Sequence, residues 1–353
     1  MRRPVVVNSR LGLLCATTWV VVTLLPATEG SAHHSVAAGF DTQQMIELEG
    51  ELTEIRWQNP HILLTLVAAG SDGRAVSWEL ESLSANGIGR TGIGRDLFRL
   101  GDRIKVAGNP SRRGLERLWA VHILLPTNQE LVLGALQRPP RWSEQVLRGT
   151  EASQTNEGTA GNVELGIFRV WSTSVGSPTR RVNEDPASVP WTPAGRAAVE
   201  RARSETDPAM GCVTKGMPRI MTQPYPIEFV QQGDRIELKI EEYDAVRAIH
   251  VGPGAGESAG APSALGHSVG RWEGSALVVT TTNLAGGLFD GVGATPVSSQ
   301  VTLTERFAPS ADGAHLDYSL TIADPVYRTE PAMVEKRWLN VPGVQVLPYE
   351  CKR

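Results

Sequence analysis

Apolar and polar residues alternate along much of this chain with the two-residue period of strands that bury one face. Ile46-Glu47-Leu48-Glu49-Gly50-Glu51-Leu52 is the plainest case. The apolar run Ile62–Val67 follows. After a Gly-rich turn at 70–73 come Ala75–Leu80, the alternating Arg103–Gly108 and Leu118–Leu125. Five short strands separated by turn signals predict a small OB-like (oligonucleotide/oligosaccharide-binding-type) barrel over residues 33–125. The Gly- and Arg-rich stretch 82–98 predicts a short helix or loop crossing between strands. Residues 126–162 are polar, carry Pro139-Pro140, and read as a linker.

A second set of strands begins near Leu165. Its first member is Gly166–Trp171, followed by Ile227–Val230, Ile236–Tyr243, Val246–Val251, Ala276–Thr282, Val301–Phe307, Leu316–Ile322 and Val334–Leu339. One helix interrupts them, with Thr192 as N-cap, Pro193 in the first turn and Ala194–Arg203 after it. The fold class is therefore mainly β. The small barrel is followed, over 163–353, by a larger antiparallel barrel or sandwich, lipocalin-like because a meander can close without leaving sheet edges exposed.

The first residues follow another pattern. Met1-Arg2-Arg3 and Arg10 precede the uncharged run Leu11–Leu25, which has the length of a signal core and is short for a membrane span. Pro26 ends it, and Gly30-Ser31-Ala32 offers the small residues a signal peptidase reads. Residues 1–32 are expected to be a cleaved export signal, placing the mature protein in the periplasm or outside the cell with His33 first. No later segment is apolar enough to span a bilayer. Outside the signal the cysteines are Cys212 and Cys351, and in an oxidising compartment they are expected to pair. A formal charge of −4 with scattered basic residues argues against a nucleic-acid partner.

The strings Ala32-His33-His34-Ser35, Phe40-Asp41 and Trp57-Gln58-Asn59-Pro60-His61 resemble a family of exported bacterial proteins of unknown function. The resemblance covers roughly residues 32–125. The second part also looks like a group of exported proteins without an assigned activity. It carries Pro190–Arg196, Gly216–Met221, Gly266–Gly274 and Thr304-Glu305-Arg306-Phe307. These resemblances imply export and the division into two parts.

Three clusters have residue types suited to chemistry. An N-terminal His33 would offer a free α-amine and an imidazole, which with His34 and His61 form a nitrogen-rich set suited to Cu(II). The plainer alternative is a histidine tail, with His61 packed beside Trp57 in a turn. His122, in an apolar strand, reads as a satisfied core histidine. In the Gly266–Gly274 string, His267 is a candidate acid or base and Arg271 a candidate anion holder. The alternative there is a shaped turn in which Trp272 caps the barrel and Arg271 pairs with Glu273 or Glu305. In the acidic cluster Glu241, Glu242 and Asp244, strand parity puts Glu242 and Asp244 on one face as a candidate proton-transfer pair or a lock with Arg247. Tyr225 and Tyr243 are candidates to line the same cavity, with Trp272 as a further ligand contact. No P-loop, dinucleotide fingerprint, nucleophile elbow or zinc-protease helix is present. The expected function is binding of a small apolar molecule or an accessory role, with copper at the mature N-terminus. The alternative is an acid–base enzyme (isomerase, hydratase, cyclase or hydrolase) working in the second barrel.

Overall fold

The computed structural model describes residues 36–70, 72–135, 137–150, 157–173, 180–182, 189–204, 212–256, 260–290 and 295–351. After a one-turn helix α1 (Val36–Gly39) the first sheet is built from β1 (Ile46–Arg56), β2 (Leu63–Ala69), β3 (Ala75–Glu81), β4 (Arg103–Pro110) and β5 (Arg117–Leu124). Neighbours run antiparallel in the order β3-β2-β1-β4-β5, and a parallel pairing of β3 with β5 closes the ring. Alternate positions point inward, so Leu52, Leu64, Leu66, Leu80, Ile104, Val106 and Leu118 are buried together. Gly50 is dictated by strand spacing, since a Cβ there would lie 2.2 Å from the Val67 carbonyl oxygen. The crossing segment between β3 and β4 carries a short helix, α2 (Ala85–Gly89), with Ser84 Oγ accepting from Gly87 N–H at its N-cap. Ile88, Ile93 and Phe98 from this segment join the barrel core.

Residues 126–162 are more than a linker. β6 (Glu130–Leu133) and β7 (Val146–Gly149) extend the first sheet beyond β5. Glu130-Leu131-Val132-Leu133 is wholly buried, and a charge at its first position hid the strand from a reading by hydropathy. That carboxylate is met by the backbone N–H groups of Arg141, Trp142 and Ser143 and by His122 Nδ1 at 2.8 Å. His122 is thus the satisfied core histidine its apolar strand suggested.

The second sheet has ten strands in the order β8-β10-β11-β12-β13-β14-β17-β18-β19-β9. They are β8 (Val170–Trp171), β9 (Arg180–Val182), β10 (Ile227–Gln232), β11 (Arg235–Ile240), β12 (Ala245–Val251), β13 (His267–Glu273) and β14 (Ala276–Thr282). β17 (Thr302–Pro309), β18 (His315–Ala323) and β19 (Ala332–Leu339) complete it, while β15 (Gly287–Asp290) pairs separately with β16 (Thr295–Val297). A bridge between Ser172 and Leu339 brings the β8 and β19 sides together, so the sheet is a nearly closed barrel. It departs from a pure meander in three places: β9 pairs with β19 at the edge opposite β8, β15 and β16 form their own pair between β14 and β17, and the step from β12 to β13 is not a hairpin. β12 and β13 are parallel, because residues 252–266 are long enough to carry the chain back before it re-enters the sheet. Helix α3 (Pro193–Ser204) starts where its sequence signals put it, with Thr192 Oγ1 accepting from Gly195 N–H at 3.0 Å. The disulfide joins Cys212 to Cys351. No helix among the described residues is long and apolar enough to cross a membrane.

Large inward side chains fill the second barrel: Trp171, Phe229, Phe307, Tyr318 and Trp338 are all nearly or fully buried. Among them lies a polar knot. Arg247 donates to both oxygens of Glu305, to Ser268 Oγ at 2.9 Å and to Thr281 Oγ1 at 2.6 Å, and Tyr318 OH donates to Glu305 at 2.9 Å. A charge in a low-dielectric interior is tolerated only when paired and hydrogen-bonded, and here each charged group has several partners. The strings around Ser268 and Glu305 noted in the sequence meet in this knot.

Candidate functional site

His61 ends the Trp57–His61 turn between β1 and β2 and is the one sequence-nominated metal ligand within the described residues; His33 and His34 lie outside them. The turn is held by Asn59, whose Oδ1 accepts from Asn86 N–H at 3.2 Å and whose Nδ2 donates to Asn86 Oδ1 and to the Tyr349 carbonyl. His61 Nδ1 lies 2.9 Å from the Ser82 carbonyl, an acceptor only, so Nδ1 carries the proton and Nε2 keeps its lone pair. Nε2 lies 3.8 Å from Glu81 Oε1. Burial pushes the His61 imidazole down to about 4, with Lys215 and Arg117 acting in the same direction against the Ser82 bond. The ring is therefore neutral at pH 7. Burial likewise pushes the Glu81 carboxyl up to about 7, opposed by Arg117, which pairs with it at 2.9 Å.

The packing around His61 differs from the turn contact suggested by sequence. Trp57 packs on Phe98, while His61 meets the edge of Trp119 with ring centroids 5.6 Å apart. Trp119 in turn carries Phe40 at 6.0 Å. Phe40 is buried and follows α1 directly, so the described chain nearest the N-terminus is anchored two ring contacts from His61. Among the described residues no three His, Cys, Asp or Glu side chains converge as a metal cluster. A site of three or more such donors at His61 would have to draw on residues outside the described ones.

The candidate acid–base set does not come together. On β13, Ser268 and Gly270 point inward, so His267 and Arg271 face the other side of the sheet. His267 Nε2 bonds the Ala255 carbonyl at 3.0 Å, and its ring stacks on His250. Ser268 pairs with Ile249, which sets His267 level with Ala248, four residues beyond Asp244. That is about 13 Å along β12 at roughly 3.3 Å per residue. Arg271 is exposed and pairs with Glu273 at 2.8 Å, while Glu305 belongs to Arg247. Glu242 is buried against Lys215 at 2.5 Å, and Asp244 is exposed, accepting from Tyr349 N–H at 2.9 Å. The strand parity that was to align Glu242 with Asp244 fails because residues 242–244 form a single 3-10 turn, with Tyr243 at φ 59°. Burial pushes the Glu242 carboxyl up against the pull of Lys215, Arg219 and Lys336. Its Oε2 atom is buried without a hydrogen-bond partner among the described residues.

The aromatic candidates separate into two places. Tyr225 and Tyr243 both pack on Tyr349, with centroids 5.4 and 5.0 Å away, where the C-terminal segment passes. Trp272 stands 44% exposed on the barrel rim against Phe168. Sequence reasoning missed Glu81, Asn86, Lys215 and Tyr349. Each acts through at least one partner 20 or more residues distant, and nothing in their local strings marks them.

No curated protein matches the chain. Residues 21–118, which include both N-terminal histidines and the Trp57–His61 turn, match the model of a family described as "Family of unknown function (DUF6152)", and this part of the chain is similar to that family.

Proposed function

We propose that this chain is an exported copper-binding accessory protein in which the processed N-terminus and His61 form the metal site. His33 would supply its α-amine and imidazole, His61 the third nitrogen, and His34 a further donor. The observation that carries the reading is the state of His61. Its Nδ1–H is spent on a backbone carbonyl and its titration is lowered to about 4, so Nε2 is a neutral imidazole donor at pH 7. Metal-binding histidines are typically oriented in this way, by a hydrogen bond from the other ring nitrogen to a carbonyl or carboxylate. The Phe40–Trp119–His61 row of ring contacts supports it, since it anchors Phe40 one ring away from His61. Cu(II) favours such nitrogen-rich sets and ranks above Zn(II) in them.

Isothermal titration tests the reading, with protein beginning at His33 compared with protein carrying one extra N-terminal residue. The extension keeps every imidazole and displaces only the amine. Copper affinity is expected to fall at least ten-fold in the extended protein and in His61→Ala. Affinity should also weaken as pH falls, because protons compete for the amine and the imidazoles. Equal affinity in all three proteins overturns the assignment.

A further inference from the structure

The last described residues, 340–351, belong to neither sheet, yet they touch both barrels. From the first barrel's crossing segment, Arg90 donates to the Gln345 carbonyl at 3.3 Å and Asn86 to the Pro348 carbonyl at 3.0 Å. Asn59 of the Trp57–His61 turn donates to the Tyr349 carbonyl. From the second barrel, Glu241 accepts from Leu347 N–H at 2.9 Å and Asp244 from Tyr349 N–H at 2.9 Å. Glu241 also binds Arg90 and Asn86, so one fully buried carboxylate ties the strap to both barrels. Tyr349 is fully buried between Tyr225 and Tyr243. Beyond it, Cys351 forms an isolated bridge with Asn59 and the disulfide with Cys212, both cysteines being partly exposed.

We propose that this strap is a thiol-sensitive latch on the turn that carries His61. The strap has no strand ladder, so its hold rests on side-chain bonds, one buried tyrosine and the covalent tie at its end. A dithiol reductant would open the tie by exchange. One thiolate attacks a cysteine sulfur and forms a mixed disulfide; the second thiolate resolves it. The protein is left with two thiols and the reductant with a disulfide. Release of Cys351 removes the bridge to Asn59, and Asn59 is two residues from His61. The disulfide is thereby coupled to the copper site; that consequence rests on the metal reading above, whereas the latch does not.

The latch itself is tested without metal. Hydrogen exchange of the full-length oxidised protein is compared with the same protein reduced by dithiothreitol and alkylated, and with Cys212→Ser/Cys351→Ser. The expected result is faster exchange at the amides of Leu347, Tyr349 and Asn86, the last held by Asn59, with a rise well beyond any common increase in β1 and β17. Unchanged exchange at those three amides, with two thiols confirmed by mass, overturns the latch. A rise no larger at those three amides than in β1 and β17 overturns it too, because the disulfide would then act only on the fold as a whole. Copper titration of the serine variant is a separate arm, free of competing thiolates, with an expected loss of at least ten-fold. If oxidised wild-type protein binds no copper, the metal reading fails while the exchange data still decide the latch.

Discussion

Replacing Arg247 by methionine isolates the polar knot inside the second barrel. The side chain makes two bonds to Glu305 and one each to Ser268 and Thr281, and it is 1% exposed. Among the described residues, methionine leaves Glu305 with only the Tyr318 hydroxyl, in a fully buried site. Removing one partner of a buried pair costs about 3–5 kcal/mol, mostly the penalty of the stranded charge. Two hydroxyl oxygens that lose a donor add about 1 kcal/mol. A total of roughly 4–6 kcal/mol is a large share of the 5–15 kcal/mol by which proteins are usually stable. Arg247→Met/Glu305→Leu should lose less than either single variant, because no charge is left unpaired and the inward position stays filled. Urea denaturation of the four proteins closes a double-mutant cycle, and a coupling of about 3 kcal/mol or more is expected. Single losses below about 1 kcal/mol that simply add would refute the reasoning and mean that water reaches the knot.

Three further outcomes follow from the same geometry. Burial pushes the Glu130 carboxyl up, but three backbone amides and His122 outweigh it and hold the group below its ordinary range. Its stability contribution is therefore present above about pH 4.5 and lost as pH falls through the lower folded value, so thermal melts of Glu130→Gln should show a flatter acid limb than wild type. Gly50→Ala should destabilise by about 1–3 kcal/mol in urea, since its Cβ would meet Val67 at 2.2 Å; a wild-type midpoint would show that β1 and β2 part freely. The disulfide closes a loop with a sequence separation of 139, for which chain entropy gives about 5 kcal/mol as an upper figure. Reduction that shifts the urea midpoint by nothing measurable would show that the unfolded chain is not constrained by it.

The local pattern determined a good deal about this protein. Alternation with a period of two, or a short apolar run between turn signals, marked every strand of the first barrel and most of the second, because strands must place apolar side chains on their buried faces. Thr192 and Pro193 marked the start of α3, since capping is a contact within one turn. The two cysteines outside the predicted signal pointed to each other by elimination. Tertiary structure decided what local pattern does not carry. Whether β12 met β13 in parallel depended on the path of residues 252–266. Glu242 became a buried partner of Lys215, and Asp244 an acceptor for the strap, once a single turn broke the strand between them. His267 and Arg271 faced outward because Ser268 and Gly270 took the inner positions beside Arg247. The environment of His61 was set by Ser82, Trp119 and Glu81, residues 20 to 58 positions away, and by a C-terminal strap that reaches its turn through Asn59. Burial and charge pairing are sums over neighbours in space, and those neighbours are chosen only when both barrels have closed.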